Sequence, residues 1–186
     1  MKIFDNRNEM LTTLPEGLII AEIGIFKGEF AKIILDTCKP SQLILIDPWE
    51  ERVCSGDCDG NNMCCENGEI LYNGVCKLFE NNPTVQIKRN YSTSILDYPD
   101  NYFDMIYIDA DHSYEGVKLD LKNSYQKIKN GGYIMGHDYD QNMNKSRTVY
   151  HFGVKQAVDE FCIIYKQEMI YKAMDGCTSF GMKISK

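Results

Sequence analysis

Short apolar runs alternate along this chain with stretches of helical spacing. The run "LIIAEI" (18–23) is continuous and of strand length, and it stops at Gly24. Behind it Phe30, Ile33, Ile34 and Cys38 recur at helical intervals, predicting an amphipathic helix over Glu29–Cys38 that Pro40 stops. "LILI" (43–46) predicts a second buried strand, with Asp47 at its tip and Pro48 blocking continuation. "TVQIK" (84–88), "FDMIYI" (103–108) and "YIM" (133–135) predict three more strands. A short helix is expected over 75–79, and a longer one through Val117, Leu121, Tyr125 and Ile128, closed by Gly131 and Gly132. Val154, Ala157, Val158, Phe161 and Cys162 form the clearest helical stripe. "QEMIY" and "SFGMKI", on either side of Asp175 and Gly176, read as a terminal hairpin.

Strand–helix alternation of this kind predicts an α/β fold with a largely parallel sheet. No repeat, low-complexity tract or linker divides the 186 residues, so one domain is expected. Residues 51–73 are polar, rich in Gly and Asn, and without period, which predicts a long loop placed to act as a lid. With 44% hydrophobic residues the chain can bury a substantial core. Its net charge of −7 argues against broad electrostatic binding to nucleic acid or to an anionic membrane. No apolar run reaches spanning length, and "MKIFDNRNEM" lacks the apolar centre of a signal peptide, so a soluble cytoplasmic protein is expected.

Of eight cysteines, five (Cys54, Cys58, Cys64, Cys65 and Cys76) fall within the segment 54–76, the first four of them in that loop. Zinc, disulfides and free thiols are the three readings. The spacings hold no paired C-x-x-C and no histidine lies among them, and without a secretion signal disulfides lack support, so reduced thiols are favoured. Cys38, Cys162 and Cys177 read as small core residues.

In open α/β sheets ligands sit at the carboxyl ends of the strands, where strand order reverses. The first predicted strand leaves through "AEIGIFKGEF" (21–30), with Glu22 followed by Gly24 and Gly28 at the turn. The G-x-x-x-G spacing is neither the dinucleotide fingerprint nor a phosphate loop. Asp47 stands where an acid grips ribose hydroxyls in nucleotide-binding α/β folds. Singly these features read as an ordinary turn and a helix cap; together, in consecutive α/β units, they point to a nucleotide.

"EIGIFKG", "LIDPWE", "FDMIYIDADHSYEGVKLDL", "GGYIMGHDY" and "GVKQAVDEF" resemble class I S-adenosylmethionine-dependent methyltransferases, in order, from about residue 19 to 161. The match is best to the small O-methyltransferase-like group with an I-D-x-D-H-S-Y-E-G signature. The resemblance implies a Rossmann-like fold with a seven-stranded, mostly parallel sheet, an antiparallel last strand and helices on both faces. It implies that Glu22, Gly24 and Gly28 hold the methionine part of S-adenosylmethionine and that Asp47 bonds the ribose. Trp49 would lie beside the adenine, as would Ser92, although Asn90 replaces the family's usual glycine two places earlier. Asp109 closes the cofactor set.

In this fold the strands ending at Asp109 and at His137 and Asp138 are neighbours, ~4.8 Å apart, so Asp109 and Asp138 can share one cation. Related enzymes use such acids to hold magnesium, which lowers the pKa of a substrate hydroxyl. His137 stands where relatives carry a second acid, and histidine favours zinc, manganese or iron. Three readings stand: magnesium on the acids, a softer metal that includes His137, or no metal. Asp111 and His112 are candidates for the general base, and Asp111 reads equally well as a helix cap. The leading expectation is O-methylation of a small molecule or sugar. An NAD-linked oxidoreductase and a non-catalytic nucleotide-binding module are the alternatives; the glycine spacing and the absence of a Tyr-x-x-x-Lys pair in the expected region weigh against the first.

Overall fold

Leu43, Ile44, Leu45 and Ile46 are each at most 1% exposed. Successive side chains on a strand point to opposite faces, so both faces of the sheet around β3 (Gln42–Asp47) must be covered. The computed structural model, which describes residues 1–50, 67–140, 153–174 and 176–186, shows how. An eight-stranded sheet runs β1 (Lys2–Phe4), β7 (Met169–Ala173), β8 (Ser179–Lys183), β6 (Ile128–Gly136), β5 (Phe103–Ile108), β2 (Ile19–Ile23), β3 and β4 (Val85–Arg89). Only β8 is antiparallel to its neighbours. On one face, α1 (Arg7–Leu11), α2 (Glu29–Cys38) and α3 (Gly68–Phe79) bury residues against Ile20, Leu43, Leu45, Met105 and Tyr107. On the other, α4 (Tyr114–Lys127) and α5 (Val154–Tyr165) cover Ala21, Ile23, Ile44, Ile46 and Ile106.

The architecture is the Rossmann-like methyltransferase fold, with eight strands rather than the seven expected. The additional strand is β1, whose three residues pair in parallel with β7 at the sheet edge. Three residues carry no period, so the sequence hid it. Two further expectations are corrected. Helix α4 ends at Lys127, and β6 runs from Ile128 through the glycine pair. Buried Ile128 pairs with Phe103, and a register irregularity follows before Met105 meets Tyr133, with Gly131 at φ +82°. Residues 68–73 are helical, not loop, because the Asn67 side chain accepts the N–H groups of Glu69 and Ile70 and starts α3 about two turns early. Cys54, Cys58, Cys64 and Cys65 lie outside the described residues; Cys76, on α3, is a free thiol, as are Cys38 and Cys162. No described helix is long and apolar enough to cross a membrane.

Candidate active site

The chain goes from β2 to β3 and β4 on one side and places β5 and β6 on the other, so strand order reverses beside β2. A cleft of about 550 Å³ opens there, lined by Gly24, Asp47, Trp49, Ser92, Asp109 and Asp120 among others. The ends of β5, β2, β3 and β4 are consecutive in the sheet, so the cleft crosses three strand spacings, about 14 Å.

Gly24 makes the turn out of β2 at φ +87°, and a Cβ there would lie 2.1 Å from the carbonyl oxygen of Asp109. Only glycine allows that approach. Gly28, also left-handed at φ +80°, begins α2 and packs against Val75, Leu78 and Phe79 rather than lining the cleft. Asp47 is committed to backbone: its Oδ2 accepts from Ile25 N at 2.8 Å and Phe26 N at 3.1 Å, and its Oδ1 from Trp49 N at 2.7 Å. A carboxylate has about four acceptor sites, so one remains for a ligand. Trp49, with φ +44°, donates its indole N–H to Phe26 O at 2.9 Å and so fixes its ring against the cleft wall.

Glu22 is 1% exposed, and its Oε2 has no hydrogen-bond partner among the described residues. Burial above all, with the nearby Asp109 charge, holds its carboxyl well above the ordinary range, while Arg7 pulls the other way. A buried acid left in this state is costly unless a donor meets it.

At the β5 end the structure brings four predicted residues together. Asp109, His137 and Asp138 each offer one ligand atom within 4.8 Å of the other two. Parallel pairing of Ile108 with Gly136 puts the strand ends level, and Asp138 bends inward at φ +58°. His112 Nε2 lies 3.0 Å from Asp138 Oδ2 and 3.4 Å from Asp109 Oδ1. Burial opposes charge on this imidazole, but its hydrogen bonds to Asp109 and Asp138 and their charges prevail and push its pKa up to about 9.

Arg7, which no motif singles out, reaches in from α1 with Nη1 3.3 Å from Asp109 Oδ2 and its guanidinium 4.1 Å from the Phe30 ring centre. The two carboxylates therefore already face two cations. Asp111 is placed apart from this group: both its oxygens accept from Ser113, backbone at 2.8 Å and hydroxyl at 2.9 Å, while Ser113 caps α4 through Gly116 N. Asp120 was also missed. An acid four residues after Gly116 and three after buried Val117 falls on the inner face of the helix, and that spacing was the available signal.

Residues 21–139 match a family described as a methyltransferase domain. An uncharacterized protein of Acanthamoeba polyphaga mimivirus is 30% identical over 129 residues, 67% of this chain and 52% of that protein, so the chain spans about half the length of this curated relative. The N-methyltransferase NodS of Bradyrhizobium japonicum WM9, solved with S-adenosyl-L-homocysteine, aligns with a TM-score of 0.64 at 14% identity, covering 97% of this chain and 86% of that one. The fibrillarin pre-rRNA processing protein of Methanococcus jannaschii aligns at 0.60 and 12% identity, over 92% and 69% of the two chains. The structural likenesses establish the fold, and the sequence match covers more than half of the chain: the protein belongs to the methyltransferase domain family.

Proposed function

We propose that this domain transfers a methyl group from S-adenosylmethionine to a hydroxyl of a small molecule or sugar. The observation that carries the reading is the cleft itself, which has the close-packed Gly24 turn and Asp109 at one end, with His112 and Asp138 grouped about Asp109 behind it, and Trp49 and Ser92 toward the other. The residues fit the cofactor. Glu22 Oε2 is a buried acceptor without a donor among the described residues, beside the turn expected to hold a methionine ammonium. Asp47 keeps one acceptor site for a ribose hydroxyl. When bound, S-adenosylmethionine supplies a methyl already activated by its sulfonium.

What remains for the protein is orientation and proton removal. His112 Nε2 is the candidate to take the acceptor's hydroxyl proton, steadied by Asp138 and Asp109. With its pKa near 9 the imidazole holds a proton at neutral pH, so it becomes a base only once that proton leaves. A divalent cation on Asp109, Asp138 and His137 would drive that loss and lower the hydroxyl pKa. A mixed nitrogen and oxygen donor set suits manganese, iron or zinc better than magnesium. The Asx turn at Ser113 gives Asp111 a capping role. The net charge of −7 favours a small acceptor over a nucleic acid.

Calorimetry with S-adenosylhomocysteine and NAD, followed by transfer of labelled methyl to panels of polyols, phenols and amines, tests the reading. One-to-one binding of S-adenosylhomocysteine with labelling of hydroxyl acceptors is expected. Binding of NAD alone would mark an oxidoreductase, and labelling confined to amines would overturn the O-methyl assignment.

A further inference from the structure

β4 is an edge strand, and its last residue, Arg89, pairs in register with Asp47 at the tip of β3. A long cationic side chain at such a place can lie along whatever packs beside the strand ends. Here it covers the start of α3. The Arg89 guanidinium carbon is 4.7 Å from the centre of the Tyr72 ring, and that centre is 5.3 Å from the Trp49 ring. All three guanidinium nitrogens are engaged as well. Nη1 donates to Glu69 Oε2 at 2.6 Å, while Nε and Nη2 reach the carbonyls of Pro48 and Trp49, each at 3.4 Å.

Trp49 needs support of this kind. Its φ of +44° is one that a bulky residue keeps only where its surroundings impose it. Asp47 and Phe26 hold it from the β2 and β3 side, through its backbone N–H and its indole N–H. On the α3 side its carbonyl lies so near Gly68 that a Cβ there would be 1.9 Å away. Arg89 bonds that same carbonyl and, through Tyr72, backs the indole ring. Trp49 and Leu71 line the cleft, and Arg89 and Tyr72 stand behind that wall. A lysine could make the Glu69 ion pair, but it has neither a flat face for Tyr72 nor a fork that spans two carbonyls.

We propose that Arg89 is a positioning residue for ligand binding in the cleft: through Tyr72 and the Trp49 carbonyl it fixes the Trp49 ring before any ligand arrives. The inference rests on the S-adenosylmethionine reading above. A wall already in place need not be ordered on binding, and the difference appears as affinity.

Trp49 is the single tryptophan of the chain, so its emission reports this ring alone. Fluorescence with acrylamide quenching, and calorimetric titration with S-adenosylhomocysteine, test the proposal without any methyl acceptor. In Arg89→Lys and Arg89→Met the emission should move to longer wavelength and the quenching should rise. Affinity for S-adenosylhomocysteine should fall roughly 3–10-fold in both. Tyr72→Leu should behave like Arg89→Met, and the double variant should bind no more weakly than either, because both act through one ring. Glu69→Gln should leave both readouts near wild type, since an exposed ion pair contributes little. Thermal unfolding establishes that each variant is folded. If Glu69→Gln matches Arg89→Met, the contact is only a surface ion pair and the proposal fails. Arg89 variants that keep wild-type emission, or that shift it without losing affinity, overturn the proposal and leave the cofactor reading intact. A wild-type protein that does not bind S-adenosylhomocysteine removes the cofactor reading, and this proposal falls with it.

Discussion

The carboxylate of Asp47 accepts the backbone N–H of Ile25 at 2.8 Å. Two more amides, those of Phe26 and Trp49, depend on the same side chain. The acid read as a ribose ligand therefore also shapes the turn on which the cofactor would rest. Asp47→Ala should lower unfolding free energy in urea by about 2–4 kcal/mol, since it removes charged hydrogen bonds and leaves partly buried donors unmet. Asp47→Asn keeps one acceptor oxygen and should recover about half of that loss, while still weakening S-adenosylhomocysteine binding. An unchanged urea midpoint in Asp47→Ala would refute the structural half of this assignment.

Gly24 and Gly17 offer an internal comparison. Both have left-handed backbones, at φ +87° and +79°, but a Cβ on Gly17 meets nothing within 4 Å, whereas on Gly24 it strikes the Asp109 carbonyl at 2.1 Å. Gly17→Ala should cost only the conformational penalty, about 1–2 kcal/mol. Gly24→Ala must also part β2 from β5 and should cost more than about 3 kcal/mol, with loss of S-adenosylhomocysteine binding. Equal effects in thermal and urea unfolding would show that the close approach has no energetic weight.

The sequence made the sheet legible where burial was continuous. "LILI" and "FDMIYI" lie inside a layer covered on both faces, and such strands read as unbroken apolar runs. Glu29–Cys38 was legible to the residue because its apolar stripe and a following proline agree. What stayed hidden depended on contacts between distant segments. Arg7 becomes a site residue only because α1 packs near β5, a separation of 102 positions. For the same reason the sequence carries no sign that Arg7 and His112 already compensate Asp109 and Asp138. Asp120 could have been found by asking which acid shares a helical face with Gly116 and Val117.

Asp120 should make the protein without ligand less stable as pH rises. Its folded pKa, about 6, lies above the ordinary 3.8, so the folded state holds its proton longer than the unfolded chain. The sign follows: this contribution is fully present below about 3.8 and is lost as pH rises through about 6. Asp120→Asn removes the cost of burying a charge and should stabilise the unliganded protein at pH 7.5 by roughly 1–3 kcal/mol, with little change at pH 4. Urea unfolding at the two pH values measures it, and a variant less stable than wild type at pH 7.5 would contradict it.

Manganese binding should release a proton. Asp109, His137 and Asp138 can each direct a ligand atom to a common point, but Asp109 and Asp138 both lie against the His112 imidazole, whose pKa of about 9 keeps it charged at pH 7.5. A cation entering beside an imidazolium removes the reason for that high pKa, because the carboxylates that raised it now serve the metal. Binding and deprotonation are therefore linked, and titrations in buffers of different ionisation enthalpy should report roughly one proton released per ion. His112→Gln should abolish the release while retaining binding, and affinity in the wild type should climb with pH until His112 has titrated. Asp109→Asn combined with Asp138→Asn should lose the ion, and Asp138→Ala alone should leave S-adenosylhomocysteine affinity nearly intact. Wild-type protein that takes up no manganese, or a double variant that binds it as well as wild type, would rule out the cation site and leave His112 to act as a base only at alkaline pH.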